Sequence, residues 1–203
     1  MKNTVIVFFT ALTLFLTAGY LTAFTQDIPG ELVFEEPFEG ELPSEWYMVA
    51  NEGAIYEYLG FVEPGPEEGD AFVIYINTPE TVVMNHLQFS YGNLTPPEGS
   101  DLYDWRITFW VRTLVTPFLI RPIIAMNVDP WSGTSAEFTI ENPEEWTFVD
   151  LTIPAGDFLT TDPLLLIFHM GNPGDELGDN EIWFDDIKLY LLNQTDISDW
   201  SVY

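Results

Sequence analysis

The residues of this sequence best placed to contact a ligand are its three arginines, which fall in one central stretch. The alternation of apolar and polar residues around Trp110 puts Arg106 and Arg112 on the same strand face as this indole. The next alternating run puts Arg121 and Asn127 together on one of its faces. If the two strands pair, all three arginines share one sheet face with Trp110, where they can contact a ligand. The alternative is that they neutralise nearby carboxylates, since surface ion pairs are common and weak.

The charge of the chain limits what that ligand can be. The sequence has 33 Asp and Glu against 5 Lys and Arg, a formal charge of -28, yet 47% of its 203 residues are hydrophobic. A chain with this many hydrophobic residues can bury a core, and it is therefore not a disordered acidic tail. Nucleic acid and anionic membranes are poor partners because they need clustered basic residues. Cations, neutral polymers and other proteins remain.

Catalytic motifs are absent from the sequence. It has no cysteine, no Gly-x-Ser-x-Gly elbow, no His-Glu-x-x-His motif and no glycine-rich phosphate loop. Two carboxylates can hydrolyse a glycosidic bond, but among 33 acids no particular pair stands out. We therefore expect a protein that is not an enzyme.

The elements that position these residues are predicted to be strands. Short β-branched and aromatic runs alternate with clusters of Pro, Gly, Asn and Asp. The predicted strands lie near 31–36, 46–50, 54–60, 70–77, 83–91, 103–115, 117–128, 135–141, 146–153, 163–171 and 180–192. This spacing is typical of an all-β fold, and we predict a β-sandwich jelly roll of two antiparallel sheets. Alternation in the central strand assigns four side chains to its core: Trp105, Ile107, Phe109 and Val111.

The two ends of the chain differ in composition from this domain. Residues 1–25 combine a short basic start, a long apolar run and a small-residue step, as a secretory signal peptide does. We expect cleavage near Thr25, a secreted or cell-surface protein, and no stable membrane insertion afterwards. The alternative is a retained membrane anchor, because the apolar run is nearly long enough to span a bilayer. The domain covers 26–192, and 193–203 forms a polar tail.

Three segments in order resemble carbohydrate-binding modules of the family 4/9/16/22 type. They are residues 35–46 (EEPFEGELPSEW), 103–112 (YDWRITFWVR) and 180–190 (NEIWFDDIKLY). They resemble the opening motif, the central strand and the closing strand of those modules. One departure is Glu36, which stands where the modules usually have Asn. The resemblance implies a galactose-binding-like jelly roll that binds polysaccharide without cleaving it.

The resemblance also implies a structural calcium ion. Carried over by position, its ligands are the Phe38 carbonyl, Glu39, Glu68 and Asp70 in one turn, and Asp185 on the last strand. Calcium takes six to eight oxygen ligands from carboxylates and carbonyls. We expect Asp185 to point inward, where a buried carboxylate needs a partner or a metal. The alternative is that these acids are simply solvated.

The carbohydrate site is expected on a concave sheet face. A sugar ring stacks its C–H face on an aromatic ring, and planar polar side chains bind its hydroxyls. The residues that fit this chemistry are Trp110, Arg112, Arg121, Asn127, Gln88, His169 and, as a platform at the edge, Trp131. A lone Trp or His on a strand also commonly packs without binding.

A structural role is the alternative to glycan binding. Secreted jelly rolls also build filaments and surface layers. In that case residues 26–32 or the tail would add a strand to the open sheet edge of a neighbouring copy.

Overall fold

A computed structural model of the chain describes residues 30–62, 65–66, 69–78, 86–129, 131–156, 163–171 and 178–192. Within these ranges the chain forms twelve strands and one 3-10 helix, Ser100–Leu102, but no α-helix. The strands are β1 (Glu31–Glu36), β2 (Trp46–Ala50), β3 (Ile55–Val62), β4 (Ala71–Thr78), β5 (Leu87–Leu94), β6 (Trp105–Thr113), β7 (Phe118–Met126), β8 (Gly133–Ser135), β9 (Phe138–Ile140), β10 (Thr147–Ile153), β11 (Leu164–Gly171) and β12 (Gly178–Leu191).

The strands form two antiparallel sheets of six strands each. Sheet 1 has the order β10-β6-β12-β4-β3, and β1 pairs with β12. The first half of β12 pairs with β4 and its second half with β1, while β6 runs along its other side. Sheet 2 has the order β2-β5-β11-β7-β8, and β9 pairs with β7. The predicted β-sandwich jelly roll of two antiparallel sheets is confirmed.

The inner faces of the two sheets form one aromatic core. Phe109 and Phe184 of sheet 1 meet Phe168 of sheet 2, with ring centroids 5.4 Å apart in each contact. Phe89 of sheet 2 lies 5.6 Å from Phe184. All four rings are fully buried, and each buried side chain of this size contributes about 1.5–3 kcal/mol. This packing holds the two outer faces in fixed positions.

The sequence predicts most of these strands. Each of the eleven predicted strands overlaps an observed one, and the four core residues assigned in β6 are fully buried. β8 is not predicted, because a three-residue strand carries no usable alternation. The predicted signal peptide, 1–25, and the tail, 193–203, lie outside the described residues. Among the residues that are described, no helix is long and apolar enough to cross a bilayer.

One prediction about the sheets is wrong. β6 belongs to sheet 1 and β7 to sheet 2, so the two arginine-bearing strands do not pair. The chain between them passes from one sheet to the other over four residues, 114–117. Arg106 and Arg112 therefore lie on the opposite side of the sandwich from Arg121.

Candidate functional site

A row of polar side chains crosses the outer face of sheet 2. Gln88 on β5 is the register partner of His169 on β11, and His169 is the partner of Arg121 on β7. The residues on either side of each in sequence are buried. Alternation therefore turns these three half-buried side chains outward. We call them the polar row, and Val49 on β2 continues it at the Gln88 end.

The charge at the far end of the polar row is paired. The Arg121 guanidinium donates from Nε to Glu137 Oε1 at 2.7 Å. Burial, and then the charge of Arg121, lower the pKa of His169 to about 4. At neutral pH the imidazole is therefore uncharged and carries one donor and one acceptor nitrogen. Among the described residues its buried Nδ1 has no hydrogen-bond partner.

An apolar strip lies beside the polar row. On β11, Ile167 is the register partner of Ile123 on β7 and, on its other side, of Ser90 on β5. Ser90 is in turn the register partner of Tyr47 on β2. Both isoleucines are half-buried and Tyr47 is 39% exposed. We call Ile123 and Ile167 the apolar floor. The outer face of sheet 2 thus presents donors and acceptors next to a flat apolar surface with an aromatic ring at its edge.

Two further predicted residues lie at the end of this face. Asn127 donates from Nδ2 to the Gly92 carbonyl at 3.4 Å, a long contact that links the end of β7 to β5. A Cβ atom on Gly92 would lie 3.2 Å from the Tyr47 ring, so the glycine leaves room for that ring. Trp131 lies in the β7–β8 turn and is 58% exposed.

The other two predicted carbohydrate residues lie elsewhere. Trp110 and Arg112 are on β6, on the outer face of sheet 1. Trp110 lies 5.1 Å from Phe148, and the Arg112 guanidinium lies 4.8 Å from the centre of the Trp183 ring. Of the seven predicted carbohydrate residues, five therefore belong to the sheet 2 side and two to the opposite face.

Two of the five predicted calcium ligands, Glu39 and Asp185, lie against the turn between β3 and β4. A Cβ atom on Gly65 would lie 2.7 Å from Asp185 Oδ2, and one on Gly69 would lie 2.9 Å from Glu39 Oε1. The Gly65 N–H donates to the Gly69 carbonyl at 2.9 Å, which closes the turn between the two carboxylates. Glu39 and Asp185, far apart in sequence, thus contact the same short segment.

We expect from the sequence that Asp185 points between the two sheets, but in the structure it does not. Its register partner is Trp110, on the outer side of β6, and it is 5% exposed because the β3–β4 turn covers it. Phe38, whose ring lies in the core, directly precedes Glu39 in sequence, and Asp70 directly precedes the first residue of β4. Glu68 lies outside the described residues. The described residues contain no group of three or more His, Cys, Asp or Glu side chains that could hold a metal. Backbone carbonyls, water or residue 68 would have to complete a calcium site.

Sequence reasoning missed two side chains that build these sites. Tyr47 could have been found by alternation, because Trp46 and Met48 on either side of it are core residues. Glu36, 7% exposed, accepts hydrogen bonds from the Phe38 N–H and from Trp46 Nε1, each at 3.0 Å. This carboxylate anchors the backbone that leads to Glu39.

Comparison with known proteins places the fold. Neither a protein-family model nor a curated protein matches the sequence. Among solved structures, the family 11 carbohydrate-binding module from Clostridium thermocellum, in complex with a β-1,3-1,4-mixed-linked tetrasaccharide, is similar. It shares 16% identity over 81% of this chain and 96% of that chain, with a TM-score of 0.52.

Two further structures show the same similarity. The CBM22-1 and GH10 modules of endo-1,4-β-D-xylanase 10B from Clostridium thermocellum, complexed with xylohexaose, are 12% identical over 81% of this chain and 29% of that chain, with a TM-score of 0.55. Carbohydrate-binding modules of the β-sandwich superfamily with promiscuous specificity are 14% identical over 81% and 63% of the two chains, with a TM-score of 0.54. The resemblance to carbohydrate-binding modules is confirmed at the level of the fold.

Proposed function

We propose that this protein binds a polysaccharide through the outer face of sheet 2 and does not cleave it. The observation that carries the proposal is the polar row beside the apolar floor. The row offers amide, imidazole and guanidinium groups for hydroxyls, while the floor and Tyr47 offer an apolar surface for the C–H face of a sugar ring. The fold shared with carbohydrate-binding modules supports it.

The electrostatics of this face favour a neutral glycan. His169 is uncharged at neutral pH, and Glu137 partly neutralises Arg121. The net charge of -28 repels polyanionic chains over the whole surface. We therefore assign glucans and xylans, in preference to acidic polysaccharides, as the substrate class to test.

The same face supports a binding role without catalysis. Glycoside hydrolysis needs two carboxyl groups placed on either side of the scissile bond. Neither the polar row nor the apolar floor contains a carboxylate, and Glu137, the partner of Arg121, is held in an ion pair.

A calcium ion bound at the β3–β4 turn completes the proposal. Glu39 and Asp185 supply carboxylate oxygens on either side of Gly65 and Gly69, and the Phe38 carbonyl and Asp70 lie next to them in sequence. Bound there, the ion would neutralise two acids and fasten the turn to β12. We place its role in stability and not in contact with a sugar bound on sheet 2, because the turn lies on the sheet 1 side.

Glycan binding is tested with two variants on the sheet 2 face and one control. Purified wild type, Tyr47→Ala and Trp131→Ala are titrated by calorimetry with xylohexaose and with a mixed-linked β-glucan tetrasaccharide. An aromatic contact is worth about 0.5–1.5 kcal/mol, so at least one variant should bind about threefold to tenfold more weakly. Leu102→Ala removes an apolar side chain that is 60% exposed and lies on the 3-10 helix, in neither sheet, and should bind as wild type does. Unchanged binding in both aromatic variants would contradict this site, and no binding by wild type to any glycan would contradict the function.

Calcium binding is tested on β12 itself. Calcium should raise the Tm of the EDTA-treated wild type, and Asp185→Asn should abolish the rise. Asp179→Asn, the same substitution on the same strand but away from the turn, should keep it, because Asp179 is bonded by Tyr75 and Asn77. An equal calcium response in Asp185→Asn would refute the site.

We also propose an export role for residues 1–25 and a location outside the cytoplasm. The basic start and apolar run of the sequence support this, and the mass of the secreted protein tests it. Loss of about 25 residues on export is expected; full-length protein held in the membrane would favour the retained anchor.

One observation favours the alternative of a self-assembling subunit. β3 is an edge strand of sheet 1 with five exposed large apolar side chains, Ile55, Tyr56, Tyr58, Leu59 and Val62. Exposed apolar edge strands recruit further strands. The N-terminal segment is a weaker candidate, since Glu31 and Leu32 already pair with β12 of their own chain. Sedimentation with and without calcium separates the two roles: calcium-driven polymers without glycan binding would favour the subunit.

A further inference from the structure

The outer face of sheet 1 carries an aromatic cluster that the sheet 2 site does not use. It consists of Trp110 and Arg112 on β6, Phe148 on β10 and Trp183 on β12, and we call it the aromatic face. Phe148 is the register partner of Trp110, and Trp183 is the partner of Arg112. We propose that the aromatic face is a second carbohydrate-binding site, so that one molecule can hold two polysaccharide chains. This inference rests on the proposed function.

One ring of the aromatic face is exposed to solvent, and the two indoles beside it are half-buried. Phe148 is 47% exposed, and its ring lies 5.1 Å from Trp110 at an interplanar angle of 58°. Two rings inclined in this way form a shallow wedge and not a closed stack. Phe148 is the one exposed phenylalanine among the described residues, and beside a half-buried indole its ring provides an apolar platform for a C–H face.

Arg112 supplies the polar half of this second site. Its guanidinium lies 4.8 Å from the centre of the Trp183 ring, a cation–π contact that fixes the orientation of the side chain. Among the described residues, its buried Nε has no hydrogen-bond partner. The other described basic residues differ, since Arg106 pairs with Asp150, Arg121 with Glu137, and Lys188 with Asp186. The buried Nε itself is out of reach of a ligand, but a guanidinium that is held in one orientation and forms no ion pair among the described residues is suited to donate from its terminal nitrogens to a sugar hydroxyl.

The positions of these groups match one sugar unit. Trp110 and Arg112 are two residues apart on β6 and so lie about 7 Å from each other along the strand. A ring seated on Phe148 and Trp110 would bring its edge towards Arg112. The chemical class is again a neutral glycan, because the net charge of -28 repels polyanionic chains from the whole surface.

Two sites on opposite faces give the molecule a property that one site cannot. The sheets of a sandwich pack about 10 Å apart, so a chain bound on sheet 1 and a chain bound on sheet 2 cannot be the same segment. The protein would then link separate polysaccharide chains, and each link would add to the retention of the protein in the matrix.

A bridging assay tests the inference with the full chain. Insoluble xylan particles are mixed with soluble fluorescent mixed-linked β-glucan, and the protein-dependent capture of the label is measured beside the binding of the protein to the particles. Wild type should capture the label. Phe148→Ala and, separately, Arg112→Gln should bind the particles within about twofold of wild type through sheet 2, but lose most of the capture, at least about fivefold. Leu102→Ala should behave as wild type, and sedimentation confirms that each variant is folded and monomeric.

Each outcome is decisive for one proposal or the other. If wild type binds the particles and Phe148→Ala captures the label equally well, the second site is wrong and the aromatic face is left for a polypeptide partner. If wild type binds no polysaccharide, the proposed function itself fails. If Phe148→Ala loses particle binding altogether while Tyr47→Ala keeps it, the aromatic face is the sole site and bridging is refuted.

Discussion

Removing the Glu36 carboxylate should destabilise the protein more than any surface charge does. Glu36 is 7% exposed and accepts two hydrogen bonds, from the Phe38 N–H and from Trp46 Nε1, each at 3.0 Å. Glu36→Ala leaves both donors buried without an acceptor. A hydrogen bond to a charged group contributes about 1.5–3 kcal/mol, so we expect a loss of about 3–5 kcal/mol. That is a large part of the 5–15 kcal/mol typical of a domain.

The isosteric variant separates the two bonds. Glu36→Gln keeps one oxygen acceptor but replaces the second carboxylate oxygen with an NH2 group, which cannot accept a hydrogen bond. It should therefore lose about half as much, roughly 1.5–3 kcal/mol. Glu35→Gln is the matched control on the neighbouring residue, because it breaks only a half-exposed contact to Lys188 at 3.4 Å. Surface pairs of this kind are worth at most about 1 kcal/mol.

Urea denaturation followed by tryptophan fluorescence measures these losses. The three variants and wild type are compared at one pH and in EDTA, so that calcium does not contribute. A loss below about 1 kcal/mol in Glu36→Ala would refute the reasoning, since two buried donors would then have found other partners or water. A shift in the m-value would point instead to a changed denatured state.

Two further perturbations follow from particular contacts. The pKa of His169 is lowered to about 4 in the folded protein, whereas an unfolded imidazole has a pKa near 6.5. As the pH falls, the unfolded state therefore takes up the proton first, and the free energy of unfolding decreases between about pH 6.5 and pH 4. Over this pH range the free energy of unfolding of wild type should fall by about 1–2 kcal/mol more than that of His169→Gln, after allowance for solvent screening. If the free energies of unfolding of the two proteins change in parallel with pH, the imidazole is not shielded from solvent. Gly133→Ala should cost about 1–3 kcal/mol by overpacking, because the added Cβ would lie 2.9 Å from Ile123 and 3.0 Å from Ala125. A Tm within about 1 °C of wild type would disprove that close approach.

The sequence predicts the strands well because alternation is a local signal. Trp105, Ile107, Phe109 and Val111 repeat every two residues, and only a strand with one buried face explains that repeat. The same signal gave each side chain of the polar row its outward orientation. Alternation also predicts that Tyr47 points outward, because its neighbours on both sides are core residues.

Alternation does not determine which strands become neighbours. β6 and β7 are joined by only four residues, a length that also suits a hairpin, but the connection crosses between the sheets. For this reason the sequence pattern places the three arginines on one face, whereas the structure divides them between two. The role of Glu36 was equally hidden, since its two donors come from a turn and from a side chain ten residues away.

The pairing of β12 has a consequence for how the chain acquires its structure. Glu31, in the first described strand, pairs with Leu191, in the last described one, and β12 lies between β6 and β4 in sheet 1. Sheet 1 therefore cannot assemble until the polypeptide has been made as far as residue 191. Contacts between such distant segments slow folding. During synthesis, the chain should remain open and accessible to chaperones or a translocation channel until its final strand emerges.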